Sequence, residues 1–167
     1  MKKIGLFYSF NTRKSNKAAE AIAAILGKDV EKVNAETVTE EQFLKYDNLI
    51  LSSPTWFDGE LANYWDEFVP AIEDLDLKGK KIAIFGLGDQ KGYPENFVDA
   101  IGILGDILAK QGAEIVGFTP NKEYTYESSK AAKGTKFKGL ALDYVTQKDK
   151  SEERIKNWCE QLKSEFN

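Results

Sequence analysis

Short apolar runs alternate with amphipathic stretches along nearly the whole chain, and this alternation constrains the fold more than any other feature. A strand buried on both faces reads as a continuous apolar run, and joining two such strands in parallel requires a crossover helix. Five runs fit: Ile4 to Tyr8, Val30 to Asn34, Asn48 to Ser53, Ile82 to Gly86 and Glu114 to Thr119. Between them, Ala18, Ala19, Ile22, Ile25 and Leu26 share one helical face and Gly27 supplies a stop, which predicts a helix over Lys14 to Leu26. Leu61, Tyr64, Trp65, Phe68 and Val69 predict a second helix ending near Pro70. Phe97, Ala100, Ile101, Leu104 and Leu108 predict a third, closing near Gly112, although Gly102 and Gly105 weigh against it. The last is expected after Ser151 as N-cap, with Ile155, Trp158, Cys159 and Leu162 turned inward.

The pattern is that of an α/β protein: a doubly wound, five-stranded parallel sheet in the order 2-1-3-4-5, with helices on both faces. A chain of 167 residues fits one domain, here residues 1–167. One stretch, about 120–138, is rich in Lys, Tyr, Gly and Ser without periodicity and reads as an insertion.

Composition narrows the chemistry. The absence of histidine removes Ser-His-Asp and Cys-His catalysis and most transition-metal sites. Cys159 is the only cysteine, so neither an intramolecular disulfide nor a cysteine-ligated metal is expected, a usage that fits a reducing cytoplasm. A net charge of −4 argues against nucleic acid and anionic membranes, both of which demand a basic surface. Met1 to Gly5 runs straight into a strand without the apolar core of a secretory signal, and no apolar run is long enough to span a bilayer. The expectation is a cytoplasmic monomer with no membrane insertion.

In this class, ligands sit outside the carboxyl ends of the strands, which directs attention to the loops after strands one, three and four. The first, Ser9-Phe10-Asn11-Thr12-Arg13-Lys14-Ser15, opens a helix. Unpaired N–H groups and the positive end of a helix dipole suit an anion there, with Thr12 and Ser15 adding hydroxyls. Ordinary N-capping accounts for the same residue types. The spaced glycines and Gly-Lys-Ser of nucleotide hydrolases are missing. The second loop, Ser53-Pro54-Thr55-Trp56-Phe57-Asp58-Gly59, places two aromatics in a turn. Trp56 either offers its face to a flat ring or folds back onto the core. The third, Gly86-Leu87-Gly88-Asp89-Gln90-Lys91-Gly92-Tyr93-Pro94-Glu95-Asn96, resembles a weak dinucleotide fingerprint but follows the wrong strand for one. Tyr93 is either a surface anchor or a second platform. Because strand three lies between strands one and four, all three loops emerge at one edge. A phosphate cradle and two aromatic platforms one strand apart suit a planar ring bearing a phosphorylated tail, the shape of flavin mononucleotide (FMN).

Lys3-Ile4-Gly5-Leu6-Phe7-Tyr8, Pro54-Thr55-Trp56, Gly59-Glu60-Leu61 and Gly88-Asp89-Gln90 together resemble the flavodoxin family over nearly the full chain. The stretch after Thr119 resembles the insertion that splits the fifth strand in long-chain flavodoxins, and Gly139-Leu140-Ala141-Leu142-Asp143 looks like that strand's resumption. The resemblance implies FMN held non-covalently, its phosphate on residues 10 to 15 beside Ser9. Thr55, next to Pro54, would contact the ribityl chain. Trp56 and Tyr93 would flank the isoalloxazine, with Phe57, Asp58 and Gly59 in the same loop. Backbone groups of Gly88, Asp89 and Asn96, between Leu87 and Phe97, would address its pyrimidine edge. Two positions depart from the family's phosphate loop: Phe10 replaces a hydroxyl residue and Arg13 a glycine. The loss of one hydroxyl donor costs on the order of 0.5–1.5 kcal/mol, which a guanidinium near the phosphate would offset.

The function this implies is a low-potential one-electron carrier with no catalytic residue, since the cofactor performs the redox chemistry. Residues 58–76 hold Asp58, Glu60, Asp66, Glu67, Glu73, Asp74 and Asp76 with no Lys or Arg. That is either a solvated helix face or a negative field that lowers the flavin's potential and guides basic partners. The implied partners are redox proteins with basic docking faces, such as ferredoxin/flavodoxin-NADP reductase, photosystem I or other ferredoxin-dependent acceptors. By the same resemblance, the Phe57-Asp58 peptide turns its carbonyl toward the flavin after one-electron reduction, a turn that a glycine at 58 would ease. The alternatives are a flavodoxin-like NAD(P)H:quinone or flavin reductase, and a receiver-type signalling module. A receiver needs an acidic cluster after the first strand, where this chain has Ser9 and Phe10, and a phosphorylatable Asp after the third, where it has Ser53.

Overall fold

The computed structural model describes residues 1–167. The chain runs β1 (Ile4–Tyr8), α1 (Arg13–Leu26), β2 (Val30–Asn34), α2 (Glu40–Leu44), β3 (Asn48–Ser52), β4 (Thr55–Trp56), β5 (Glu60–Leu61), α3 (Asn63–Ile72), β6 (Lys81–Leu87), α4 (Asp99–Lys110), β7 (Glu114–Val116), β8 (Thr119–Pro120), β9 (Ala132–Lys133), β10 (Lys136–Phe137), β11 (Leu140–Leu142) and α5 (Lys148–Glu165). The main sheet has the order β2-β1-β3-β6-β11, with β7 also on β6, and every pairing in it is parallel.

The expected fifth strand is interrupted. β7 pairs Val116 with Ala83, and β11 resumes on the same edge with Leu140 opposite Phe85. The run expected through Thr119 stops at Val116, because Gly117 (φ 78°) turns the chain away and Thr119–Pro120 joins a small antiparallel sheet in the order β8-β10-β9. The segment read as a structureless insertion therefore contains strands of its own.

Alternation along the strands divides the core in two. Phe7, Leu49, Leu51, Ile82 and Ile84 face α3 and α4, packing with Trp65, Phe68, Ile101 and Leu104. Ile4, Leu6, Ile50, Ala83 and Phe85 face α1 and α5, packing with Ala18, Ile22, Trp158, Cys159 and Leu162. Side chains of a strand alternate between faces, so each buried strand serves both layers. Cys159 is buried as expected, and burial pushes its thiol up to about 12.

Several helix boundaries differ from the sequence expectation: α1 starts at Arg13 rather than Lys14, and Phe97 lies before α4, which starts at Asp99. Pro70 does not end α3, which continues to Ile72; Pro70 and Asp66 are both exposed, so water can serve the carbonyl that the proline leaves without a donor. Leu61 belongs to β5 rather than to α3. α5 begins at Lys148, not after Ser151, which lies buried within it. The turn before it is set by Asp143, whose Oδ1 accepts from the N–H groups of Val145 (3.0 Å) and Thr146 (2.8 Å). The sequence reading passed over α2, although Thr39 and Gln42 form a complete capping box at its start.

α4 persists through Gly102 for a tertiary reason: a Cβ there would overlap the carbonyl of Lys130 in the insertion, so the missing side chain is what lets the two segments touch. We predict that Gly102→Ala lowers stability by about 1–3 kcal/mol through overpacking, although an exposed helical Gly→Ala gains about 1 kcal/mol. Urea denaturation of the two proteins checks the sign.

Candidate functional site

Parallel pairing of β1, β3 and β6 brings their carboxyl ends to one rim, so the three loops singled out above lie side by side. The second and third share a cleft of about 460 Å³ lined by Thr55, Phe57, Asp58, Leu87, Gly88, Asp89, Tyr93, Asn96, Phe97 and Val98. All but Val98 are residues the sequence selects. The volume lies within the ~300–1,000 Å³ usual for small-molecule sites.

Two aromatic rings stand in water at this cleft, Phe57 being 73% and Tyr93 60% exposed. Trp56 does not line it. Half-buried in the β4–β5 hairpin, its ring meets Tyr64 edge-on (6.1 Å between centroids) and Phe57 likewise (6.5 Å). The hairpin turn carries two positive φ values, 50° at Phe57 and 95° at Gly59. The strained residue is thus Phe57, one before the position where a glycine was expected to ease the turn. Gly59 is required for space as well, since a Cβ on it would lie 2.6 Å from Asp99 Oδ2.

The remaining cleft residues are held from behind. Thr55 Oγ1 accepts from the N–H of Ala100 (3.1 Å), tying the hairpin to the start of α4. Phe97, only 1% exposed, stacks on Tyr126 (5.7 Å, 22°) and belongs to the core, adding little to the cleft surface. Asp99 is buried and accepts from the N–H of Lys130 (2.8 Å); burial pushes its carboxyl above the ordinary range. The insertion braces the Tyr93 loop along its length. Glu127 and Ser128 donate N–H groups to the carbonyl of Pro94, Ser128 Oγ donates to that of Glu95, and Ser129 Oγ to that of Phe97. Gln90, fully buried, accepts from Thr125 and donates to Asp143 Oδ2 (3.0 Å). Burial raises Asp143, but hydrogen bonds from Thr146 and Gln90 outweigh it and leave its carboxyl below the ordinary range.

The first loop does not line this cleft. Ser9 and Ser15 are buried, and Phe10, Asn11, Thr12, Arg13 and Lys14 are exposed. Thr12 occupies the N-cap position of α1 with no side-chain cap bond; its hydroxyl donates instead to Ser9 Oγ (3.1 Å). Capping by a side chain therefore does not account for Thr12. Two residues the sequence reading missed organise the loop from the end of β2: Asn34 Oδ1 accepts from Phe10 N–H (3.4 Å), and Glu36 accepts from Ser9 and Asn11. Arg13 and Lys14 face the other way, lining a recess with Lys17, Tyr144 and Lys148. That recess shares Lys17, Tyr144 and Lys148 with a concavity of about 690 Å³ between α1 and α5. No cation of the recess takes part in an ion pair.

Asp58, Glu60, Asp66, Glu67, Glu73, Asp74 and Asp76 are all exposed and none is paired with a Lys or Arg. Asp58 and Glu60 lie in the hairpin at the rim, whereas Glu73, Asp74 and Asp76 follow the end of α3 that leads back to the start of β6.

The flavodoxin family model matches residues 6–158. This chain belongs to the flavodoxin family. It is 44% identical over 166 residues to the flavodoxin of a Nostoc species, covering 99% of this chain and 98% of that one. To flavodoxin 2 of Escherichia coli it is 42% identical over 166 residues, 98% of this chain and 96% of the relative. Among solved structures, flavodoxin from Fusobacterium nucleatum bound to FMN matches with a TM-score of 0.94 at 34% identity, covering 100% of both chains. The chain has no His, no group of residues that could hold a metal ion and no helix long and apolar enough to cross a membrane.

A non-glycine residue in the left-handed region costs about 1–2 kcal/mol, partly recovered on glycine substitution against glycine's extra chain entropy of about 0.5–1 kcal/mol. Because the Phe57 ring buries little, Phe57→Gly is expected to leave the unfolding free energy unchanged or raise it by up to about 1 kcal/mol. Urea denaturation of the flavin-free protein checks this.

Proposed function

We propose that this flavodoxin binds one FMN non-covalently at the rim formed by β1, β3 and β6, and carries single electrons between redox proteins. The observation that carries the reading is the cleft itself: exposed Phe57 and Tyr93 rings beside the backbone of Gly88 and Asp89, on a fold whose solved relative holds FMN. Exposed aromatic faces gain about 0.5–1.5 kcal/mol beyond burial when they meet a π system.

FMN, when bound, supplies the one-electron chemistry. The chain's own residues bind and tune it. Free N–H groups at the start of α1, with the hydroxyls of Thr12 and Ser15, suit the phosphate. Thr55 accepts from Ala100 and retains its own proton to donate to the ribityl chain. Tyr93 covers one ring face; Phe57 and Asp58 border the other reaches of the cleft, with Trp56 supporting them from the hairpin. Backbone groups of Gly88, Asp89 and Asn96 meet the pyrimidine edge, where their fixed geometry matters more than side-chain identity. The unpaired carboxylates of Asp58 and Glu60 in the hairpin disfavour added negative charge at the rim, which lowers the reduction potential, and with the other acidic residues of 58–76 they attract basic docking faces. The split fifth strand supports reading the chain as a long-chain flavodoxin. We read residues 1–167 as one cytoplasmic, monomeric domain whose partners are reductases or ferredoxin-dependent acceptors with basic faces.

The deciding experiment is an absorption spectrum of freshly purified protein during stepwise dithionite reduction. A flavin spectrum that reduces in two resolved one-electron stages is expected, and a colourless protein with no saturable FMN uptake overturns the reading. NADPH alone should not be oxidised; steady turnover without an added reductase would instead favour a quinone or flavin reductase. Arg13→Ala should weaken FMN binding about fivefold at low salt, as loss of one charge-assisted contact of about 1 kcal/mol requires. Unchanged affinity measured by fluorescence quenching would show that the guanidinium serves only the recess with Lys148.

A further inference from the structure

Glu36, in the turn after β2, is exposed and has no cation beside it, yet both of its oxygens are engaged. Oε1 accepts from Ser9 Oγ at 2.6 Å and Oε2 from Asn11 Nδ2 at 2.8 Å. Ser9 Oγ in turn accepts from Thr12 Oγ1 (3.1 Å) and from the N–H of Asn11 (3.3 Å). Direction matters in this chain. A hydroxyl has one proton to give. With Ser9 donating to Glu36, Thr12 must donate to Ser9, so each of these hydroxyl protons points toward the carboxylate. The side-chain donors of Ser9, Asn11 and Thr12 are thus already directed at an anion that belongs to the protein.

We propose that Glu36 is an internal anion that competes with the phosphate of FMN for the donors of the 9–15 loop, and so sets how strongly this protein prefers FMN to riboflavin. The proposal rests on reading that loop as the phosphate site. Phosphate binding requires Thr12 to turn its proton from Ser9 to the ligand and brings a dianion up to an unneutralised carboxylate. Both effects oppose binding, and neither touches the ring or the ribityl chain.

Hydrogen bonds from Ser9 and then Asn11 hold the Glu36 carboxyl below the ordinary range. The other titratable neighbour is the Tyr64 phenol on α3; burial first, then the Glu36 charge, raise its pKa. The nearby dianion moves the Glu36 pKa upward.

The test is the affinity of apoprotein for FMN and for riboflavin, at low salt and pH 7, in wild type and E36Q. Glutamine keeps the shape and removes the charge. The expected result is FMN bound roughly fivefold more tightly by E36Q, with riboflavin affinity changed less than twofold and the FMN gain shrinking as salt rises. A second readout is the ¹³C titration of the Glu36 carboxyl, expected to shift to higher pKa when FMN is added and not when riboflavin is. FMN affinity that is unchanged or weaker in E36Q, or equal changes for both flavins, overturns the proposal and makes Glu36 a brace of the loop. If wild type binds neither flavin, the FMN reading itself fails and takes this inference with it.

Discussion

The parallel register of β1, β3 and β6 is the constraint on which everything else in this molecule depends. Pairing Ile4 with Asn48 and Asn48 with Lys81 aligns three strands so that Tyr8, Ser52 and Phe85 lie level and β6 runs two residues further, to Leu87. Loops that are far apart in sequence then share one rim. A single-residue slip in that register would exchange the two faces of a strand and with them both cores, since Leu49 and Leu51 serve one layer and Ile50 the other. The rim is held in place by apolar packing far larger in scale than any contact made within it.

On this frame, the three loops are supported in different ways. The hairpin β4–β5 holds Phe57 in a left-handed conformation and hangs from α4 through Thr55. The Tyr93 loop leans on the insertion, which gives it hydroxyl and N–H donors from Glu127, Ser128 and Ser129. The first loop is tied to β2 through Asn34 and Glu36. The insertion thus stands behind a wall of the cleft, and Gly102 and Asp99 are the points where α4 accepts it.

Much of the architecture was legible because its causes are local. β1 and β2 lie where their apolar runs and flanking turn formers put them, and α1 begins one residue before its expected start. Most of the cleft was legible for a related reason: once the strand order is known, the loop after each strand must line the rim. What misled the reading were residues with two possible causes. Pro70 looked like a helix stop, yet its exposed position lets α3 continue. Ser151 looked like a cap, yet Asp143 already shapes the turn before α5. Trp56 carried two readings, ring platform or core contact; its ring meets Tyr64 edge-on, and Phe57 lines the cleft.

The sequence alone determined the layered α/β class and the three loops that gather at one rim, because apolar periodicity and turn chemistry act over a few residues. Only the tertiary structure decided which polar groups meet. Ser9 with Glu36, Gln90 with Thr125 and Asp143, and Asp99 with Lys130 join residues from separate elements. Such pairs follow from strand register and loop path, and hydrogen-bond geometry is too short-ranged and directional for any local pattern to announce its partner.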